Sequence, residues 1–290
     1  MKRKILDTLR LIWKINFLEQ LLVKMTTNKS FGSPVTKLPP NHYQFKKGSV
    51  RKVVRDGINY TLDISDIVDW YIYFGFKELS REALYDLIQE GQTVIDIGAN
   101  VGDVTLHAAQ IVGKNGEIHA FEPDPTNYKR LTANLNLNTF NNIRKNQVGL
   151  GHETGTFKIA NIDSGNQGMN RIIQGKPTNL NTHEINVITL DSYALENRLE
   201  KIDLIKIDVE GFEYNVLKGS TAVINNFHPT FFIELDDDNL LEQGSSARKL
   251  IQFLVEKNYR IFHAENHKEV SVETDFQHCH FDILAKYISE

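Results

Sequence analysis

Cysteine occurs once in this chain of 290 residues, at Cys279, so no intrachain disulfide can form. The fold must then rest on its core, and a reducing, cytoplasmic setting is expected. No run of twenty uninterrupted apolar residues exists, so no segment has the composition of a membrane-spanning helix. Internal repeats are missing too, which argues against a solenoid or propeller. Charge of one sign is not in excess: 33 basic residues face 37 acidic ones, for a net −4. That balance supplies no broad positive field, and nucleic acid is not an expected partner. With 41% hydrophobic and 24% charged residues, the composition is that of an ordinary globular chain able to build a sizeable core.

What is present is concentrated in Thr93–Glu122, TVIDIGANVGDVTLHAAQIVGKNGEIHAFE. Val94, Ile95 and Ile97 form a β-branched run bounded by glycines, as expected of a buried parallel strand. Gly98 and Gly102 bracket a turn, Asp103–Val112 has helical spacing, and Ile118–Phe121 makes the next strand. Glu122 ends that strand about twenty residues after the glycines, where a nucleotide-binding α/β unit places its ribose acid. The turn reads Asp96-x-Gly98-x-Asn100-x-Gly102, not the G-x-G-x-x-G that cradles a pyrophosphate. An acid at Asp96 repels phosphate and suits a nucleoside with a cationic tail, which points to S-adenosylmethionine.

The chain divides into three expected regions: 1–48, a basic N-terminal helix and linker; 49–90, a hairpin with helices; and 91–290, the nucleoside-binding domain. Met1–Met25 mixes Lys2, Arg3, Lys4, Arg10, Lys14 and Lys24 with apolar residues and lacks a signal-peptide cleavage site. Its apolar residues fall on nearly every side of a helical wheel. Contact with the inner face of a membrane, docking on the catalytic domain and self-association all stay open for it. Thr26–Asn41, with Pro34, Pro39 and Pro40, reads as a linker. Asp56-Gly57 between Ser49–Val54 and Ile58–Leu62 is a hairpin signal. The aromatics of Ile64–Phe76 read as core rather than as a substrate cleft, and Ser80 as N-cap of a helix Arg81–Gln89.

Beyond Glu122, alternation continues with a helix Thr126–Leu137 and a third strand Asn146–Leu150. Gly151–Leu190 departs from it: two strand-like runs flank a polar stretch with Ser164, Asn166, Gln167, Asn170 and Arg171, either a substrate-recognition element or an idle hairpin. Asp203–Val209 is a buried strand that places Lys206 and Asp208 on one side, with Glu210 just beyond. A helix Tyr214–Asn226 should follow. Glu234 interrupts the next apolar strand, Thr230–Leu235, and Asp236–Asp238 reads as a solvated loop. Charges are rarely buried without a partner or a task, so Lys206, Asp208, Glu210 and Glu234 are the candidate catalytic set.

DIGANVG, FEP, VITLD (Val187–Asp191), KIDVEG, LKG (Leu217–Gly219) and the strand ending IEL together resemble the FkbM-type S-adenosylmethionine-dependent methyltransferases, from about Arg51 onward. The resemblance implies a class I methyltransferase fold: an α/β, Rossmann-like, doubly wound seven-stranded sheet with its last strand antiparallel. It also implies O-methyl transfer to hydroxyls of polyketides, sugars and other glycans. Asp96, Gly98, Ala99, Asn100 and Gly102 match the family's methionine-side loop, Glu122 its ribose acid with Pro123 beside it, and Asp208 and Glu210 its acidic block.

The sulfonium of S-adenosylmethionine already activates the methyl, so the enzyme must align an acceptor hydroxyl and remove its proton. Asp208 is the expected base, with Glu210 or Glu234 orienting the acceptor and Lys206 tuning the charge. Two alternatives share these residues: a divalent ion held by Asp208, Glu210 and Glu234, and a nicotinamide-dinucleotide oxidoreductase, which the glycine pattern disfavours. His278, His280 and Asp282 alternate along the final strand as a second conceivable ligand set, although no metal is expected there without a fourth ligand.

Overall fold

A computed structural model describes residues 7–160, 170–173 and 182–289; Ser164, Asn166 and Gln167 lie outside the described residues. The N-terminal part is built from helix α1 (Asn16–Thr26), a hairpin of β1 (Val50–Arg55) and β2 (Ile58–Asp63), and helix α2 (Ile67–Phe74). Asp56 and Gly57 both have positive φ (48° and 84°), the conformation a two-residue primed turn requires. Asp66 caps α2 by accepting from the Val68 and Asp69 amides. Trp70, Tyr73, Phe74 and Phe76 are buried with Leu22 of α1 and with Ile58 and Leu62 of β2, so the aromatics are core. Thr26–Asn41 is more than a linker. Lys29–Ser30 pairs in parallel with Phe76–Lys77, and the Pro40 carbonyl accepts from Trp70 Nε1 at 2.8 Å.

Helix α3 spans Leu79–Tyr85, two residues ahead of the expected start. Ser80 does not cap it: Glu78 has the extended N-cap backbone, while Ser80 hydrogen-bonds Asp282 and is drawn into the first turn.

Strand β3 (Thr93–Ile97) is buried along its whole length, as a central strand covered on both faces must be. Then follow α4 (Asp103–Val112), β4 (Glu117–Phe121), α5 (Pro125–Leu135) and β5 (Ile143–Asn146). The third strand therefore precedes its expected position. Gly149–Leu150 (β6) leaves the main sheet and joins a second one with β7 (Gly155–Ala160), β8 (Arg171–Ile173) and β9 (Thr182–Ile188), in the order β8-β7-β9-β6.

The chain returns through α6 (Leu190–Glu196), β10 (Leu204–Ile207), α7 (Glu213–Lys218), α8 (Thr221–Phe227), β11 (Thr230–Asp236), α9 (Asp237–Glu242), α10 (Ala247–Glu256), β12 (Tyr259–His263), β13 (Glu269–Val270) and β14 (His280–Tyr287). Two of these elements differ from expectation. The single helix Tyr214–Asn226 is two, broken at Gly219–Ser220. Asp236–Asp238 is no loop: Asp236 caps α9 through the Asn239 amide, and Asp237 accepts from Ala247.

The main sheet runs β13-β12-β14-β11-β10-β3-β4-β5. Strands β11, β10, β3, β4 and β5 are mutually parallel, and β14 is antiparallel to both of its neighbours. These are the seven strands expected, in a class I methyltransferase order, with the two-residue β13 added at the edge. Among the described residues no helix is long and apolar enough to cross a membrane.

Candidate active site

The carboxyl ends of β3, β4, β10 and β11 meet at one pocket, where open α/β sheets collect their ligands. Gly98 makes that meeting possible. Its φ is +83°, and a Cβ there would sit 1.9 Å from the Asp208 carbonyl oxygen. No other residue fits without parting β3 from the end of β10. The turn is fixed by its own amides: Gly98 and Ala99 both donate to the Phe121 carbonyl at 3.0 Å. The Asn100 amide donates to one oxygen of Glu122 at 2.8 Å, and the Asp124 amide to the other at 2.9 Å. Burial pushes the Glu122 carboxyl up to about 7 despite these two bonds.

Gly98, Asn100, Glu122 and Pro123 line the polar part of the pocket; Phe121, Leu150, Ile159 and Ile172 supply an apolar wall. Asn100 Oδ1 is buried there with no protein partner, and a buried acceptor of that kind calls for a ligand or water. A polar rim with an acid at the strand end, an apolar slot and an orphaned amide oxygen is a donor set that fits an adenosine-bearing ligand. Ala99 and Gly102 shape the turn from behind.

Asp96 lies on β3, one residue before its end. It is fully buried beneath the turn, accepts from Thr105 Oγ1 at 2.5 Å, and pairs in register with Lys206 across β3 and β10. Lys206 Nζ is 3.6 Å from Asp96, donates to the Gly98 carbonyl at 2.9 Å, and reaches Asp208 at 3.2 Å. Burial disfavours this ammonium, but the carboxylates of Asp208 and Asp96 outweigh it and hold its pKa above the usual lysine value.

Three acids face the pocket together. Asp208, Glu210 and Glu234 each offer an oxygen within 4.8 Å of the others. Asp208 is the most open, its side chain 43% exposed. Glu210 takes the left-handed conformation (φ 53°), and its Oε2 accepts from Asn239 Nδ2 at 3.0 Å. Desolvation, then the neighbouring Asp208, push Glu210 up to about 8 and Glu234 well above the ordinary range. A fourth acid, Glu213, was not singled out from the sequence. It is buried, its Oε1 accepts from the Val209 and Gly211 amides at 3.1 and 3.0 Å, and burial pushes it up to about 7. Its signal was legible as a carboxylate on the first turn after Gly211, where free amides await an acceptor.

Glu234 also lines a second cleft with Glu78, Ser80, Glu265 and Asp282. One wall is the stacked pair His263 and Phe281, with centroids 4.7 Å apart. His278 and His280 do not converge on a metal site: His278 pairs with Asp238 and His280 with Asp236, each at 3.0 Å. Among the described residues, the one carboxylate or histidine group with converging ligand atoms is Asp208, Glu210 and Glu234.

The family described as "Methyltransferase FkbM domain" matches residues 96–261, spanning both halves of this pocket. The chain is 26% identical over 168 residues to Methyltransferase 1 of Beauveria bassiana, covering 51% of this chain and 67% of that one. It is 27% identical over 144 residues to the hexuronic acid methyltransferase AglP of Haloferax volcanii, covering 49% of this chain and 56% of that protein. It is 24% identical over 190 residues to the 2-O-methyltransferase NoeI of Sinorhizobium fredii, covering 61% and 76%. With more than half of its length matched by that family, and with the strand order and pocket described above, the chain belongs to the FkbM-domain methyltransferases and is an S-adenosylmethionine-dependent enzyme.

Proposed function

We propose that the chain is an O-methyltransferase whose acceptor is a hydroxyl of a sugar, glycan or related polyhydroxylated compound, with Asp208 as general base. The observation that carries this reading is the convergence of Asp208, Glu210 and Glu234 at the pocket mouth, with Asp208 the exposed member. When bound, S-adenosylmethionine supplies a methyl group already activated by its sulfonium. Glu122 offers its free lone pairs to the ribose hydroxyls, Asn100 and Pro123 border the nucleoside, and Gly98, Ala99 and Gly102 keep the turn open for the methionine side. Asp96 acts from behind, through Lys206 and Thr105, as a positioning residue.

An alcohol is a poor nucleophile until its proton is taken. Burial and the neighbouring Asp208 raise both of the other acids, Glu210 to about 8 and Glu234 well above the ordinary carboxyl range, so these two favour the protonated form. Each then donates a hydrogen bond that orients an acceptor oxygen, which leaves Asp208 to receive the proton. Lys206 holds the Asp208 carboxylate and stays cationic throughout. The cleft beside Glu234, with carboxyl groups for hydroxyls and the His263–Phe281 face for a sugar ring, is the acceptor's way in.

The relatives AglP and NoeI carry names that denote a hexuronic acid and a 2-O position. The acids around this cleft favour a neutral sugar over a uronate. Methyl-labelled S-adenosylmethionine offered with neutral glycosides and with hexuronates tests the reading. Label in an alkali-stable ether on the neutral sugar is expected; label appearing only as an ester or on nitrogen overturns it.

A divalent-ion reading rests on the same three oxygens, which are close enough to share one cation. It differs in its response to chelators.

A further inference from the structure

Helix α1 is apolar on two sides for two different reasons. Leu22 and Val23 pack into the aromatic core, with Glu19 and Thr26 buried beside them. Phe17, Leu21 and Met25, spaced four apart, form a column on the other side and are 76%, 43% and 39% exposed. Leu9, Ile12 and Ile15 extend this surface ahead of the helix, each more than half exposed. The Pro34–Lys37 turn packs on α1, and the Lys37 carbonyl accepts from Arg10 Nε at 2.9 Å, which brings exposed Leu38 alongside. The helical wheel of this segment shows no clean stripe because one apolar set is core and the other is surface.

The charges on this surface have one sign. Among the described residues from Asp7 to Asn41, the charged residues classed as exposed are Lys24, Lys29 and Lys37. Both carboxylates in that stretch are already paired: Glu19 is buried against Arg51 at 2.6 Å, and Asp7, partly exposed, meets Arg10 at 3.2 Å. Exposed apolar side chains grouped on one helix side, in a segment whose exposed charges are lysines, mark an interaction site rather than ordinary surface.

We propose that this face seats the protein on an anionic lipid surface, with the Phe17–Leu21–Met25 column at the level of the acyl chains and the lysines at the headgroup phosphates. Charge selects this occupant. A second copy docking through a two-fold axis would set lysines against lysines, the segment's one partly exposed acid, Asp7, being already paired with Arg10. The inference does not depend on which acceptor is methylated, and its test requires no turnover.

The full chain is floated with vesicles of phosphatidylcholine mixed with phosphatidylglycerol, and with vesicles of phosphatidylcholine alone. Binding to the mixed vesicles alone is expected, and high salt should release it. Lys24→Glu/Lys29→Glu/Lys37→Glu should weaken binding by on the order of a hundredfold or more. Phe17→Ser/Leu21→Ser should weaken it as well. All five side chains are exposed, so both variants should keep the wild-type melting curve and bind S-adenosylhomocysteine normally; if one melts early, the salt release of the wild-type chain reads the same electrostatic contribution. Failure to bind the mixed vesicles at low salt overturns the proposal. So does a dimer in sedimentation that Phe17→Ser/Leu21→Ser dissolves without any vesicle binding.

Discussion

Lys206 and Asp96 are direct neighbours across β10 and β3, and both are buried at the base of the pocket. The lysine leans toward the pocket, 3.2 Å from Asp208, so one ammonium neutralises a buried acid and holds an exposed one. Truncating a member of a buried pair strands the other charge. Lys206→Met should cost about 3–5 kcal/mol, read as a lower denaturation midpoint in urea at unchanged slope. Asp96→Asn/Lys206→Met should recover much of that loss. A single variant as stable as the wild type would show that the pair is not what holds the base of the site.

Gly98 admits no side chain, because a Cβ there would meet the Asp208 carbonyl oxygen. Gly98→Ala should lose binding of S-adenosylhomocysteine by calorimetry and melt well below the wild type, since both the turn and the approach of β10 must shift. Normal affinity in that variant would remove the close approach from the account.

Glu213 links stability to pH. Burial pushes its folded carboxyl up to about 7 from an ordinary glutamate value of about 4.5, so the folded state holds its proton where the unfolded chain has released it. Stability from this group is fully present below about 4.5 and is lost as pH rises through 7. Glu213→Gln keeps an oxygen for the Val209 and Gly211 amides and carries no charge to bury. The melting temperature of the wild type should therefore fall relative to the variant between pH 5 and pH 8, by up to about 3 kcal/mol of stability. Parallel curves across that range would contradict the assignment.

Chelation separates the two readings of the acid cluster. With Asp208 as a proton acceptor, methyl transfer in EDTA should equal the untreated rate. Activity lost in EDTA and restored by magnesium would assign Asp208, Glu210 and Glu234 to a cation instead.

Much of the site's scaffold was legible in the sequence, because local chemistry dictated it. The glycine turn, the β-branched strand and Glu122 specify the nucleoside half without tertiary help, and Asp56-Gly57 specifies the hairpin. What escaped depends on contacts far along the chain. Ser80 carries a cap's chemistry, yet Asp282, about two hundred residues away in sequence, engages its hydroxyl. Ile143–Asn146 joins the sheet edge through register with β4, although its polar IRKN pattern gives no strand signal. Asp96 carries a charge suited to a ligand's ammonium, but its buried neighbour Lys206 is a partner that strand order alone reveals. Asp236–Asp238 read as loop acids because a capping carboxylate and a solvated one look alike until the next helix is seen.

The central claim is that Asp208 takes the acceptor's proton. Asp208→Asn keeps the shape of the side chain and removes the base, so the direct measurement is turnover alongside S-adenosylhomocysteine affinity in that variant. The account predicts affinity within a few-fold of the wild type and turnover lower by about 10²–10⁴. Full turnover in Asp208→Asn would contradict it.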